Sequence, residues 1–342
     1  MVGANKLFEA HAPLHVFIDS NVYLSFFAYP KADLSQLAQI PVLIKAKALI
    51  LYITDQVCDE FVRNREAKIA ECIDSFSKAP LSAKVPLVLD SFDEATNFKA
   101  ACRAAERNRN KLIQDFRRLA IQKELNADIV IKSIFESAVK LPTTEKLYLA
   151  ALQRQRKGNP PGKKDSLGDQ LNWECLLINC PEKTTLHVVS TDSDFRSVLT
   201  KTDVKEFIGE EWQTKKNAKL LLYDDIGIFL GSVDEKIKLA THGMKESRIS
   251  NLVDSGSFAS THKAISELEQ VIPLLTDQEI EILAHGAVNN DQISWISGDK
   301  DVMDFYQRIL KDRLEQLSPE LRSKIQKMFF GPHPQVDNND IF

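Results

Sequence analysis

Cysteine, glycine and proline are sparse in this 342-residue sequence, and no apolar run is long. The five cysteines are odd in number and irregularly spaced, so they make no disulfide framework. Cys175 and Cys180 lie close together, but no second pair and no histidine cluster completes a zinc site. With 12 glycines and 13 prolines the chain is neither collagen-like nor of low complexity. The most apolar stretch, Ile40 to Ile53, is interrupted by Lys45 and Lys47 and is too short to span a bilayer. The first residues, MVGANKLFEAHAPLHVF, lack the basic and apolar regions of a secretion signal. The expectation is a soluble, cytoplasmic protein with reduced thiols and no membrane partner.

What is present is ordinary globular composition, 44% apolar and 27% charged, with a net charge of −4. A histone-like basic binder is therefore excluded. The charge is uneven: residues 1–231 carry 32 basic and 30 acidic side chains, and residues 232–342 carry 12 and 18. A net of +2 beside a net of −6 fits two domains with different partners.

The apolar runs LHVFI (14–18) and ALILYI (48–53) read as buried strands. Thr54 then supplies an N-cap for a helix. From Arg63 to about Arg156 the pattern is helical, with a capping box at Ser91–Glu94 and caps at Thr143 or Thr144 after Pro142. Gly158 to Gly162 is a loop, and 166–178 is a helix. Strands are expected at 185–190, 204–208 and 219–223. Strands alternating with helices imply a parallel sheet. Beyond Gly231 the signals are helical: capping boxes at Ser232–Glu235 and Thr276–Glu279, and Ser318-Pro319 as N-cap and N1. Trp173 and Trp295 sit among apolar residues and are expected in the core.

The chemistry resides in acids that the chain separates and the fold should gather. Asp19 and Asp192 each follow a strand directly. In open parallel sheets, ligands bind beyond the carboxyl ends of strands, at the switch in strand order. Glu60 lies on the second turn of the helix after the second strand. Asp165 and Asp169 are four apart at the start of a helix, and Asp194 is two beyond Asp192. Packed carboxylates repel, so some must bind protons or a cation must neutralise them. An all-oxygen set suits Mg²⁺ or Mn²⁺, and the chemistry such ions serve is phosphodiester hydrolysis. Most of these residues also have a plain structural use: Asp19, Asp165 and Asp194 fit N-caps, Asp169 fits a solvated helix face, and Asn21, two beyond Asp19, fits an Asx turn.

The segments FIDSNVYL (17–24), ITDQVCDEF (53–61), GDQLNWECLL (168–177) and VVSTDSDF (188–195) resemble the four acidic motifs of the PIN-domain nucleases. The resemblance covers about residues 14–225. It implies a three-layer α/β/α PIN-like domain with a central parallel sheet, over residues 1–231, carrying a helical insertion at about 63–157. A mostly helical C-terminal domain of unknown role follows at 232–342. It further implies a metal-dependent endoribonuclease using Mg²⁺ or Mn²⁺. Asp19, Glu60, Asp169 and Asp192 match the metal-coordinating core, Asp194 an accessory ligand, and Asn21 the polar position that orients the first Asp. Asp165 matches no universal position and is a further candidate ligand. The hundred or so residues between Glu60 and Asp169 exceed those of compact PIN toxins.

Two basic stretches are candidates for backbone phosphates. Arg103, Arg107 and Lys111 share a helix face by their spacing of four. Arg154, Arg156, Lys157, Lys163 and Lys164 flank the loop before Asp165 with no acid among them. That loop is no nucleotide-binding P-loop, because its spacing is wrong and its two prolines lack N–H donors. RNA is favoured over DNA as the partner. A DNA or flap-type nuclease, and a non-catalytic PIN scaffold, are the alternatives. The acidic C-terminal domain is expected to bind a protein partner or to self-associate.

Overall fold

A computed structural model describes residues 12–27, 34–162 and 166–331. The chain divides into two compact units, one of residues 12–234 and one beginning at residue 235.

The first unit is built on a five-stranded, wholly parallel sheet. Its strands are β1 (Leu14–Ile18), β2 (Leu49–Thr54), β3 (Val139–Leu141), β4 (Leu186–Val189) and β5 (Leu220–Tyr223). Their order across the sheet is β3-β2-β1-β4-β5. The central strands read as unbroken apolar runs because helices cover both faces of such sheets. Val16, Phe17 and Ile18 of β1 are fully buried, as are Val188 and Val189 of β4. From β1 the chain winds outward through β2 to β3, then returns to place β4 on the other side of β1. The direction of winding thus reverses between β1 and β4.

The helices of this unit are α1 (Ser20–Ser25), α2 (Leu34–Lys45), α3 (Asp55–Lys78), α4 (Asp93–Gln122), α5 (Asn126–Ser137), α6 (Glu145–Lys157), α7 (Gly168–Asn179), α8 (Glu206–Lys216) and α9 (Ile226–Ser232). Thr54 caps α3 and Thr144 caps α6, each accepting from the backbone N–H three residues on. The expected capping box at Ser91 does not form. Helix α4 starts at Asp93, with Phe92 in the cap position and no side-chain bond.

Two further expectations are corrected. The segment 63–157 is not one helical insertion, because β3 within it pairs with β2 as an edge strand of the sheet. Three residues are too few to show a strand period, and Val139–Leu141 is extended because the β2 edge offers it partners. The segment 204–208 is not a strand. Val204 makes one isolated antiparallel bridge to Arg196, and Ile208 already lies in α8. A short apolar run bears either structure, and here the buried face of α8 claims Ile208 and Trp212.

The second unit comprises α10 (Asp234–Val253, which begins one residue before the boundary), α11 (Phe258–Glu269), α12 (Asp277–Asn289), α13 (Asp291–Trp295), α14 (Lys300–Leu310) and α15 (Pro319–Ile325). Thr276 and Glu279 form the expected capping box, and Ser318 caps α15 with Pro319 at its first turn. Ser232 ends α9 rather than capping α10. Leu252, Leu268, Leu283, Phe305 and Tyr306 make the core, with Tyr306 stacked on Phe329 at 4.5 Å between ring centroids. Trp173 of the first unit is buried as expected, but Trp295 is 71% exposed. Its short helix turns Ile293 inward instead, and the indole meets Phe258 in a T-shaped contact at 6.3 Å between ring centroids. Among the described residues, no helix is long and apolar enough to cross a membrane.

Candidate active site

The reversal of winding puts the carboxyl ends of β1 and β4 side by side, which is where open α/β sheets bind ligands. The backbone N–H of Asp19 donates to the carbonyl of Val189 at 3.0 Å, so Asp19 extends the pairing by one residue. Its carboxylate faces inward and is almost wholly buried. One oxygen, Oδ1, accepts from the Ser20 N–H at 2.7 Å, capping α1. The other, Oδ2, accepts from the Ser190 hydroxyl at 2.8 Å.

Ser190 also starts the second acidic loop. Its Oγ accepts from the N–H of Asp192 at 3.1 Å, and Asp192 Oδ1 accepts from the N–H of Asp194 at 3.1 Å. These bonds curl the chain into a 3₁₀ turn. Phe195 anchors the turn, buried edge-on against Trp173 of α7. Asp169 sits in the first turn of that same helix. The result is that Asp169, Asp192 and Asp194 each offer an oxygen within 4.8 Å of the other two. Glu60 enters from α3, where its Oε2 accepts from Ser20 Oγ at 2.7 Å and its Oε1 from Gln56 Nε2 at 2.5 Å.

These acids lie close enough to raise one another's proton affinity. Burial pushes Asp169 up to about 8, and the charges of Asp19, Asp192, Asp194 and Glu60 add to the rise. Burial likewise raises Asp19 to about 6, with Glu60 and Asp192 adding and the bonds from Ser190 and Ser20 opposing. Among the described residues, no lysine or arginine pairs with Asp19, Glu60, Asp169 or Asp192. A set of oxygen donors whose like charges raise one another in this way fits a hard divalent cation.

Other expected site residues fall elsewhere. The side-chain and N-cap bonds to the Asp19 carboxylate come from Ser190 and Ser20, and among the described residues Asn21 makes none to it. Arg154 is not available to a phosphate. Its guanidinium is buried, donating to Glu174 at 2.7 Å, to Glu211 at 2.6 Å and to the Pro160 carbonyl at 2.7 Å. Arg156 and Lys157 at the end of α6 are exposed, as are Arg103, Arg107 and Lys111 on α4. Asp165, Lys163 and Lys164 lie outside the described residues.

Sequence reading passed over four contributors: Ser20, Ser190, Gln56 and Gly168. A hydroxyl two residues before Asp192 was a local signal for Ser190. Gly168 gave none, since its part is to have no side chain. A Cβ there would stand 2.4 Å from Glu60 Oε1.

Residues 16–195, more than half of the chain and including Asp19, Glu60, Asp169, Asp192 and Asp194, match a family model described as PIN domain. Neither a curated protein nor a solved structure gives a significant match.

Proposed function

The chain belongs to the PIN-domain family, which has a nuclease-type fold, and on that premise we propose that it is a metal-dependent endoribonuclease. The observation that carries the reading is the gathering of five carboxylates at the β1/β4 switch point, where, among the described residues, no lysine or arginine pairs with Asp19, Glu60, Asp169 or Asp192. Asp19, Glu60, Asp169 and Asp192 would hold Mg²⁺ or Mn²⁺, with Asp194 as a further ligand. When bound, the ion would supply an activated water and neutralise charge on the phosphoryl oxygens. The chain's own residues do the rest. Ser20 and Ser190 hold the Asp19 carboxylate in one orientation and favour its charged form. The Phe195–Trp173 contact keeps the Asp192–Asp194 turn against the start of α7.

RNA is the proposed substrate, with Arg103, Arg107, Lys111, Arg156 and Lys157 as exposed cations for its backbone. The five cysteines are free thiols, which supports a reducing, cytoplasmic setting. The second unit, with its excess of acids, is proposed to bind a protein partner or a second copy.

The test is cleavage of labelled single-stranded RNA and of matched DNA in Mg²⁺ or Mn²⁺, with a chelator control. Wild type should cut RNA, and Asp19→Asn and Asp192→Asn should each reduce the rate at least about a hundredfold, no less than supporting residues of metal sites do. Cutting of DNA alone would replace the substrate. Cutting that survives both substitutions, or no cutting with either metal, would overturn the reading.

A further inference from the structure

Both carboxylate oxygens of Glu60 are taken by side-chain donors. Ser20 Oγ donates to Oε2 at 2.7 Å and Gln56 Nε2 to Oε1 at 2.5 Å. The two donors come from different elements, α1 and the first turn of α3. A third element closes the arrangement. At the start of α7 the buried Gly168 leaves a gap that a Cβ would fill, 2.4 Å from Glu60 Oε1 and 2.8 Å from Gln56 Nε2. Gln56 and Glu60 are four residues apart, and such pairs on a solvated helix face contribute little. This pair is half-buried and packed under the backbone of α7, so its geometry is held from two sides. Each carboxylate oxygen accepting one bond still has a lone pair to give.

We propose that Gln56 is a positioning residue: through Glu60 alone, it aims that carboxylate into the acid cleft and thereby sets the cleft's affinity for a divalent cation. The inference rests on the metal-site reading above and gives a role to a residue that is not itself one of the acids. Second-layer donors of this kind restrict a ligand to its binding orientation before the ion arrives, and their loss lowers metal affinity about 10–100-fold.

The test reads Mn²⁺ binding directly, by calorimetric titration of the full chain without nucleic acid. Gln56→Met keeps the side-chain length and removes the donor; Gln56→Asn keeps the amide and withdraws it, so it stands in if the first variant melts early. Either should raise the Mn²⁺ dissociation constant about tenfold. In a Glu60→Gln background the same change should have no further effect, because residues that act through one another are not additive. Affinity within twofold of wild type, or an equal loss in both backgrounds, would overturn the role of Gln56 and leave the metal site standing. Wild type that takes up no Mn²⁺ would overturn the metal-site reading, and the role of Gln56 with it.

Discussion

The hydroxyl of Ser190 donates to Asp19 at 2.8 Å across a separation of 171 residues. It ties the end of β4 to the end of β1, and through the N–H of Asp192 it ties both to the second acidic loop. One buried hydroxyl therefore sets the relation between the two aspartates that follow the central strands.

Ser190→Ala should lower cleavage by about tenfold or more while the protein stays folded, since a carboxylate deprived of its orienting donor samples other rotamers. Initial rates at saturating Mn²⁺, beside a thermal melt, check this. A rate equal to wild type would assign the orientation of Asp19 to Ser20 alone.

Gly168→Ala separates activity from stability. Alanine exceeds glycine as a helix former by up to about 1 kcal/mol, so the melting temperature should not fall appreciably. The added methyl must displace Glu60 or Gln56, and activity should drop markedly. Melting and cleavage measured on one preparation decide it. A variant as active as wild type would mean that Glu60 works equally well from another position.

Arg154 belongs to the interior. Replacing it with alanine removes the cation from Glu174 and leaves Glu211 only Lys215 and Trp173 in a largely buried setting, and should cost about 3–5 kcal/mol of stability by denaturant unfolding. Arg103, Arg107 and Lys111 should behave oppositely. Their joint replacement by alanine in an Asp192→Asn background should leave stability unchanged. It should weaken single-stranded RNA binding and flatten the log–log salt slope by about 2, at about 0.7 per phosphate contact. Unchanged binding would move the nucleic-acid path off α4.

The same buried network predicts a pH dependence. Burial works to raise Glu211 above its ordinary 4.5, but bonds from Arg154, Trp173 and Lys215 outweigh it and hold the carboxyl below that value. The folded state therefore binds this proton less readily than the unfolded chain. The stabilisation is fully present above pH 4.5 and is lost as pH falls through the depressed value. Glu211→Gln should be less stable than wild type at neutral pH and should lose less on acidification. Parallel acid-unfolding curves for the two proteins would contradict this.

Much of this organisation is local and lies open in the chain. The runs at 14–18, 48–53 and 219–223 supply β1, β2 and β5, shifted by at most one residue, because apolar, partly β-branched segments between polar turns have no better place than a covered sheet. Thr54, Thr144 and Thr276 cap helices through bonds that span three residues. The order of the acids, Asp19, Glu60, Asp169, Asp192 and Asp194, is likewise a property of sequence alone. Tertiary structure decided what depends on distant partners. Val139–Leu141 became a strand because the edge of β2 was open to it. Arg154 was drawn inside by Glu174 and Glu211, 20 and 57 positions away, so a run of basic residues did not become a uniform basic surface. The choice of Ser20 and Ser190 over Asn21 to hold Asp19, and the gap at Gly168 that admits Glu60, arose only when β1, β4, α3 and α7 met. Local bonds are written into neighbouring residues; a hydrogen bond across 171 positions exists only after the core has placed its two ends together.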